Sequence, residues 1–271
     1  MCRRTVNEIA EKLDLAHRPV KTRKSPSGEL EIVHQAVKRR LALTEEQAAA
    51  RLAWCKERAH WSVAKWRKVM WSSECIVERG PARRVWAFCK PQDRYKPENM
   101  VPDKRPKGLK VMASAMFWGK KQRSELFIMP TDQTSKRGGV SSKSYKELLD
   151  EMLLKYHKPG LIFMQDRNPI HTAQLITKYL AEKQIETMEW PPYSPDLNPI
   201  EDAWAVVKKM AAETAPNVWN ASGVSEKDKA NLIKALSDAW ESIPDSTFED
   251  LVKSMPGRLA KCIAAEGYHS A

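Results

Sequence analysis

The chain has 271 residues, 42% of them hydrophobic, which is enough to bury the core of one large domain or two small ones. Its 46 lysines and arginines outnumber 34 aspartates and glutamates, and the resulting net charge of +12 favours a polyanionic partner. The five scattered cysteines have no CxxC spacing, and no apolar run is long enough to span a bilayer. These features argue against a disulfide-stapled secreted domain, a zinc site and a membrane protein, and they indicate an intracellular chain.

The first 43 residues contain a short predicted helix and a basic segment. Thr5 and Glu8 have capping-box spacing ahead of an apolar face. In the following segment, HRPVKTRKSPSGE, cations lie among Pro, Ser and Gly, which suits either an extended linker along phosphates or an ordinary solvated loop. The candidate nucleic-acid contacts in this segment are Arg18, Lys21, Arg23 and Lys24.

A second domain is predicted from residue 44 to residue 271. Thr44 and Gln47 form another capping pair, which opens a helix through RLAWCKERAHW, and KVMWSSECIVE predicts a buried strand. Three further β-type runs predict a mainly antiparallel group of strands at the start of this domain. These runs are Arg84 to Cys89, Leu109 to Trp118 and Leu126 to Met129.

The second half of the chain alternates between helical and strand patterns. Apolar residues at helical spacing from Tyr145 to Tyr156 precede a short strand at Leu161 to Met164. A helix through Leu175 to Leu180 then precedes a strand at Ile185 to Trp190, and this alternation predicts a mixed α/β sheet. Three more helices are predicted at Ile200 to Ala212, Lys227 to Trp240 and Phe248 to Ile263.

Asp166 and Glu201 are the candidate catalytic and metal-ligating residues. Asp166 follows the apolar strand LIFM, so its carboxylate should emerge at the strand end where α/β sheets commonly place ligands. With Asn168 and Pro169, it is equally able to start the next helix as a cap. Glu201 falls in the first turn of the helix after Pro199, where the macrodipole alone favours an acid.

The sequences around both acids, QDRNPIHTA and WPPYSPDLNPIEDAW, resemble the second and third acidic motifs of the mariner-type transposases of the Tc1/mariner superfamily. The resemblance extends from about Thr44 to SMPGRLAKCIAAEG near the C-terminus. It implies an α/β, RNase H-like fold with a mixed five-stranded sheet flanked by helices. It also implies that three acids hold two Mg²⁺ or Mn²⁺ ions, which cut and join DNA strands, in a nuclear protein that can form a homodimer.

One position departs from the family pattern. The first family acid lies in a Ser-Asp-Glu type sequence, and the matching residues here are Ser72, Ser73 and Glu74. Ser73 removes a negative charge that would offset two adjacent dications, so weak or absent cleavage is expected. Because successive side chains of a strand point to opposite faces, Glu74 is expected to point away from Asp166.

Two smaller features have two interpretations each. His171 lies at the start of a predicted helix near Asp166, where it could contact metal-bound water or DNA, or could serve as a capping or packing residue. The ten tryptophans could stack on bases, but four of them fall within apolar patterns that predict a core position. These four are Trp66, Trp71, Trp118 and Trp204.

Three functions are consistent with these patterns. The first is a transposase-derived nuclease and strand transferase, and the second is a non-catalytic nucleic-acid-binding or scaffold protein of the same descent. The third is another RNase H-like nuclease that acts on RNA or hybrids. Family members carry two N-terminal helix-turn-helix units, and residues 1–43 can hold only a remnant of the second one, so we expect no sequence-specific recognition of DNA ends by this chain alone.

Overall fold

The computed structural model describes residues 43–79, 108–135 and 139–269. The predicted N-terminal helix, the basic linker and the strand at 84–89 lie outside these residues. The helices are α1 Glu45–Arg58, α2 Val63–Trp66, α3 Ser142–Glu151, α4 Leu153–Tyr156, α5 Pro169–Thr172, α6 Gln174–Glu182, α7 Ile200–Thr214, α8 Pro216–Trp219, α9 Glu226–Glu241, α10 Asp245–Lys253 and α11 Met255–Ala264. The strands are β1 Val69–Arg79, β2 Leu109–Trp118, β3 Gln122–Arg123, β4 Phe127–Ile128 and β5 Ile162–Met164.

The sheet is mixed, and its central strand is β1. This strand pairs antiparallel with β2 on one side and parallel with β5 on the other, while β3 and β4 both pair with β2. The predicted α/β fold with a mixed five-stranded sheet is therefore confirmed. None of the described helices is long and apolar enough to cross a lipid bilayer.

Alternate residues of β1 supply two separate cores. Trp71, Cys75 and Val77 belong to a core with residues of α7, α9, α10 and α11, whereas Met70 packs with Phe163 and residues of α3 and α6 on the opposite face. Both faces of the sheet are thus covered by helices, as the burial of β1 on both sides requires. The four tryptophans predicted to be core residues are all at most 9% exposed.

The N-terminus of α1 forms as its sequence predicts. The Thr44 hydroxyl accepts a hydrogen bond from the Gln47 amide at 3.2 Å, and the Gln47 side chain accepts one from the Thr44 amide at 3.0 Å. This reciprocal capping box satisfies two amides that the first helical turn leaves without partners.

Two predicted elements differ in the structure. The segment Ile185 to Trp190 forms only an isolated β-bridge between Thr187 and Phe163. A longer strand does not form because the Trp54 indole donates a hydrogen bond to the Glu189 carbonyl at 2.6 Å and two prolines follow the segment. The predicted helix from Phe248 to Ile263 is divided at Ser254 into α10 and α11. Pro256 explains this break, because its ring clashes with a backbone carbonyl of the preceding helical turn and it has no amide hydrogen to donate.

Arg51 of α1 is fully buried and joins three distant parts of the chain. Its guanidinium holds both carboxylate oxygens of Asp196 at 2.9 and 2.7 Å and donates to the Ser194 hydroxyl at 2.7 Å. It also donates to the backbone carbonyls of Tyr193, at 3.1 Å, and Gly267, at 2.7 Å. The Pro-rich turn before α7 and the C-terminal end of the described chain are therefore anchored on α1.

We predict that Arg51→Met lowers the free energy of unfolding by about 3 to 5 kcal/mol, because it leaves Asp196 without its buried countercharge. Urea denaturation of both proteins measures this difference. Lys56→Ala, an exposed change on the same helix, is the matched control and should alter stability by less than about 0.5 kcal/mol. A loss below about 1 kcal/mol for Arg51→Met would contradict the anchoring role.

Candidate active site

Three elements bring the predicted site residues to one edge of the sheet. Strands β1 and β5 are parallel with Trp71 opposite Met164, and continuing this register by two residues sets Ser73 beside Asp166. Helix α7, whose first turn contains Glu201, packs against the same face of β1. The sheet register therefore places Ser73 and Asp166 together, and the Pro-rich turn brings Glu201 to them.

Ser73 makes direct contact with Glu201. The Ser73 hydroxyl donates a hydrogen bond to Oε1 of Glu201 at 2.8 Å. Burial raises the pKa of Glu201, and the negative charges of Asp166 and Glu74 act in the same direction, while the Ser73 hydrogen bond and Lys208 oppose them. One oxygen of the Glu201 carboxylate thus already has a neutral partner within the protein.

His171 lies between two carboxylates. Its Nδ1 is 2.7 Å from Asp166 Oδ1, its Nε2 is 3.4 Å from Glu74 Oε2, and its ring stacks on Tyr145 with centroids 4.1 Å apart. Burial by itself would lower the pKa of His171, but the two carboxylates outweigh burial and raise that pKa to about 9. At neutral pH the ring is therefore a cation that balances both acids.

Two expectations about this region need correction. His171 is only 2% exposed, so the expected contact of its side chain with DNA does not fit, and its position is that of a packing and positioning residue. Glu74 does point to the face opposite Ser73, as strand alternation requires. It is nevertheless linked to Asp166, because the imidazole of His171 spans the gap between the two acids.

Asp166 is held by the loop that follows β5. Its Oδ1 accepts a hydrogen bond from the Asn168 amide at 2.9 Å, and its side chain remains 57% exposed. Although burial of the carboxyl opposes the shift, the contacts with His171 and the Asn168 amide lower the pKa of Asp166. The neighbouring Gln165 accepts from the Tyr145 hydroxyl at 2.9 Å and donates to the His171 carbonyl at 3.3 Å, which fixes both ends of the loop.

Asn198 connects the Pro-rich turn to the sheet, a role that the sequence patterns did not reveal. Its amide donates to the Ser72 carbonyl at 3.2 Å, and the Ser72 hydroxyl donates to the Met164 carbonyl at 2.6 Å. Asn198 is buried, and its side chain also accepts a hydrogen bond at 3.4 Å from the amide of Ile200, the first residue of α7. The only sequence signal for this residue is its place in a Pro-rich motif beside Glu201.

The site opens into a cleft of about 510 Å³. Ser73, Asp166 and Glu201 line this cleft together with the exposed residues Arg167 and Tyr193. This volume suits a small ligand or a single nucleotide rather than a folded partner. The arrangement is a cleft with acidic side chains at the C-terminal end of a parallel strand, where α/β sheets commonly bind ligands.

The donor set of this cleft does not fit a pair of divalent metal ions. Within residues 43–79, 108–135 and 139–269, no group of three or more His, Cys, Asp or Glu side chains is arranged to hold a metal ion. Two carboxylates converge with a hydroxyl, and each carboxylate already has a protein partner, His171 or Ser73. Hard divalent cations favour several charged oxygen ligands, and this site supplies few free ones.

Comparison with known proteins identifies the family. A family model described as DDE superfamily endonuclease matches residues 113–218, an interval that contains Asp166 and Glu201. Tcb1 transposase, of a Caenorhabditis briggsae transposable element, is 26% identical over 275 residues, which cover 98% of this chain and 94% of that protein. These matches support a Tc1/mariner DDE transposase catalytic domain in this chain, as the two acidic motifs predict.

Solved structures similar to this transposase domain agree on its fold. The catalytic domain of Mos1 mariner transposase has a TM-score of 0.57 at 18% identity, covering 86% of this chain and 99% of that chain. The Mos1 mariner paired end complex with Mn has a TM-score of 0.63 at 19% identity, covering 90% and 69%. These likenesses confirm the RNase H-like fold. Ser73 lies before the interval of the DDE match, so its correspondence to the first family acid stays a prediction.

We predict that His171 makes the stability of the transposase domain depend on pH. The folded-state pKa of about 9 lies above the ordinary value of about 6.5, so the stabilisation is complete below pH of about 6.5 and is lost as pH rises through about 9. The free energy of unfolding of the wild type should therefore fall more steeply over this window than that of His171→Gln. Because Asp166 is exposed and screened, the difference should be at most about 3 kcal/mol.

The control for this measurement is His60→Gln, which changes an exposed histidine and should keep the wild-type fall with pH. Glu74→Gln removes one of the two carboxylates and should shift the fall to lower pH. Parallel pH curves for the wild type and His171→Gln would show that folding does not raise the pKa of His171.

Proposed function

We propose that this chain is a transposase-derived DDE-type domain that binds DNA, and that its strand-cutting and joining chemistry is impaired. The observation that carries the proposal is the 2.8 Å hydrogen bond from Ser73 to Glu201, in the cleft that Asp166 also lines. The family pattern has a carboxylate at this strand position, and this chain has a neutral hydroxyl. We assign Asp166 and Glu201 as the remaining catalytic acids and Ser73 as the position of the missing one.

We further propose that the wild-type site binds Mg²⁺ or Mn²⁺ weakly or not at all. A bridging carboxylate offsets the charge of two dications, and a hydroxyl that donates its proton to Glu201 cannot do so. The contact between His171 and Asp166 also places a positive charge beside this carboxylate, which would disfavour a further cation there. The Mos1 structure that contains Mn supports metal use in this family.

DNA is the proposed partner for two reasons. The net charge of +12 favours a polyanion, because bound phosphates release their counterions. The Mos1 neighbour was solved as a paired end complex, which supports DNA as a partner and a homodimer as a proposal for this chain. We propose a nuclear site of action on the basis of DNA as the partner. The proposed phosphate contacts outside the described residues are Arg18, Lys21, Arg23 and Lys24.

A second candidate function is that of a non-catalytic DNA-binding scaffold. It is favoured by the way the site acids are balanced by protein groups, His171 for Asp166 and Ser73 for Glu201. Both candidates predict DNA binding and differ only in residual strand cleavage. Restoring the missing carboxylate separates them.

We predict that Ser73→Asp produces Mn²⁺-dependent nicking of supercoiled plasmid, because it returns a third carboxylate to an otherwise intact cleft. Ser73→Asn is the matched control, since it has nearly the same size without the charge, and it should remain inactive. A parallel thermal-shift measurement should show that Mn²⁺ raises the Tm of Ser73→Asp and leaves that of Ser73→Asn unchanged.

Nicking by the wild type that disappears in Asp166→Ala would contradict the proposed impairment. Silence of Ser73→Asp, with no Mn²⁺-dependent change in Tm, would favour the scaffold function over the restorable nuclease.

We also predict salt-dependent DNA binding that involves the basic linker. Replacing its four cations together by Gln should weaken binding to duplex DNA. It should also make the slope of log K against log salt concentration less steep by about three to four, because each phosphate contact contributes about 0.9. Fluorescence anisotropy over a salt series measures both effects, with Lys229→Gln/Lys234→Gln on α9 as the control for charge loss elsewhere. An unchanged slope would remove the linker from the interface.

A further inference from the structure

Tyr193 presents an aromatic ring at the edge of the cleft. Its side chain is 52% exposed, and it is the one aromatic residue among the strongly exposed large apolar side chains in the described part of the chain. The same cleft is lined by Asp166 and Glu201. An exposed ring beside the candidate acids lies where a strand bound in the cleft would pass.

The backbone of Tyr193 is held in an unusual conformation. Its φ of 49° lies in the left-handed region, which bulky residues rarely adopt. The other two such residues within 43–79, 108–135 and 139–269 that are not glycine, Gln184 and Glu266, directly follow helices α6 and α11, where this conformation is common. Tyr193 follows no helix, so the local sequence does not account for its conformation.

Hydrogen bonds from a distant buried residue hold the backbone of Tyr193 in this conformation. Buried Arg51 donates to the Tyr193 carbonyl at 3.1 Å and to the Ser194 hydroxyl at 2.7 Å, while Ser194 donates to the Pro192 carbonyl at 2.8 Å. Pro192 and Pro195 restrict the chain on both sides. The ring therefore projects from a rigid base, and strained backbone of this kind is concentrated at binding sites.

The groups around Tyr193 indicate which kind of ligand could bind to its ring. A single exposed ring over a cleft of about 510 Å³ offers far less area than a stable protein interface needs. An unpaired nucleobase fits, because every base has a face that stacks on an aromatic side chain. The exposed guanidinium of Arg167, which lines the same cleft, is suited to the adjoining phosphate.

We infer that Tyr193 and Arg167 form a subsite that stacks one unpaired nucleobase of a DNA strand lying in the cleft. This inference rests on the proposed DNA-binding function. Bases within an intact duplex are already stacked on their neighbours, so the subsite favours DNA that is gapped, frayed or overhanging. Tyr193 is thus a positioning residue that selects the structure of the DNA rather than its sequence.

The test compares binding of the full chain to two fluorescent DNA probes of equal length. One is a continuous duplex, and the other is a duplex with an internal gap of one nucleotide that leaves a 2-aminopurine unpaired. The wild type should bind the gapped probe more tightly and quench the 2-aminopurine. Tyr193→Phe, which retains the ring, should keep this preference. Tyr193→Asn, which tolerates the left-handed backbone but has no ring, should reduce the ratio of gapped to duplex affinity about tenfold and abolish the quenching.

Val224→Asn is the control for losing an exposed apolar side chain outside the cleft, and it should behave as the wild type. A wild type that binds both probes equally, or a Tyr193→Asn variant that keeps the preference, overturns the inference and leaves the proposed DNA-binding function standing. A wild type that binds neither probe overturns the proposed function and the inference with it.

Discussion

The ion pair between Arg51 and Asp196 is the interaction on which the geometry of the site depends. A buried guanidinium is costly to desolvate and is tolerated only when its donors are satisfied. Here the donors are taken by Asp196, Ser194 and two backbone carbonyls, so the Pro-rich turn is bound firmly to α1. Asn198 binds the other side of that turn to β1, and α7 with Glu201 starts immediately afterwards. The position of Glu201 therefore follows from two tertiary anchors that do not belong to the acidic site.

The charges of the site are balanced largely by the protein itself. His171, protonated at neutral pH, stands between Glu74 and Asp166, and the Ser73 hydroxyl holds Glu201. A site designed for two dications would leave its acids free to coordinate them. The fold and motifs of this domain support its relation to transposases, whereas the proposed impairment of its chemistry depends on the single residue Ser73.

Local patterns predicted most of the architecture. The capping pair Thr44 and Gln47, the strand β1 and the helix α7 depend on near neighbours, so their sequence signals were sufficient. The predictions failed where distant groups intervened. The segment 185–190 forms no regular strand because the Trp54 indole donates a hydrogen bond to its Glu189 carbonyl. Distant groups also decided between the two interpretations of His171, whose ring is buried against Tyr145. The division between α10 and α11 had a local signal in Pro256 that the apolar periodicity obscured.

The sequence by itself predicted the family, the candidate acids Asp166 and Glu201, and Ser73 as the position of a missing acid, since these depend on residue identity and motif spacing. Only the tertiary structure decided which groups those residues contact. Ser73 and Glu201 are 128 positions apart and Arg51 and Asp196 are 145 apart, and periodicity carries no information about partners at such separations. The same holds for Tyr193, whose exposed ring and strained backbone arise from the anchoring of its turn. Contacts of this kind are set by how the packed elements meet, because their energy comes from burial and geometry that exist only in the folded chain.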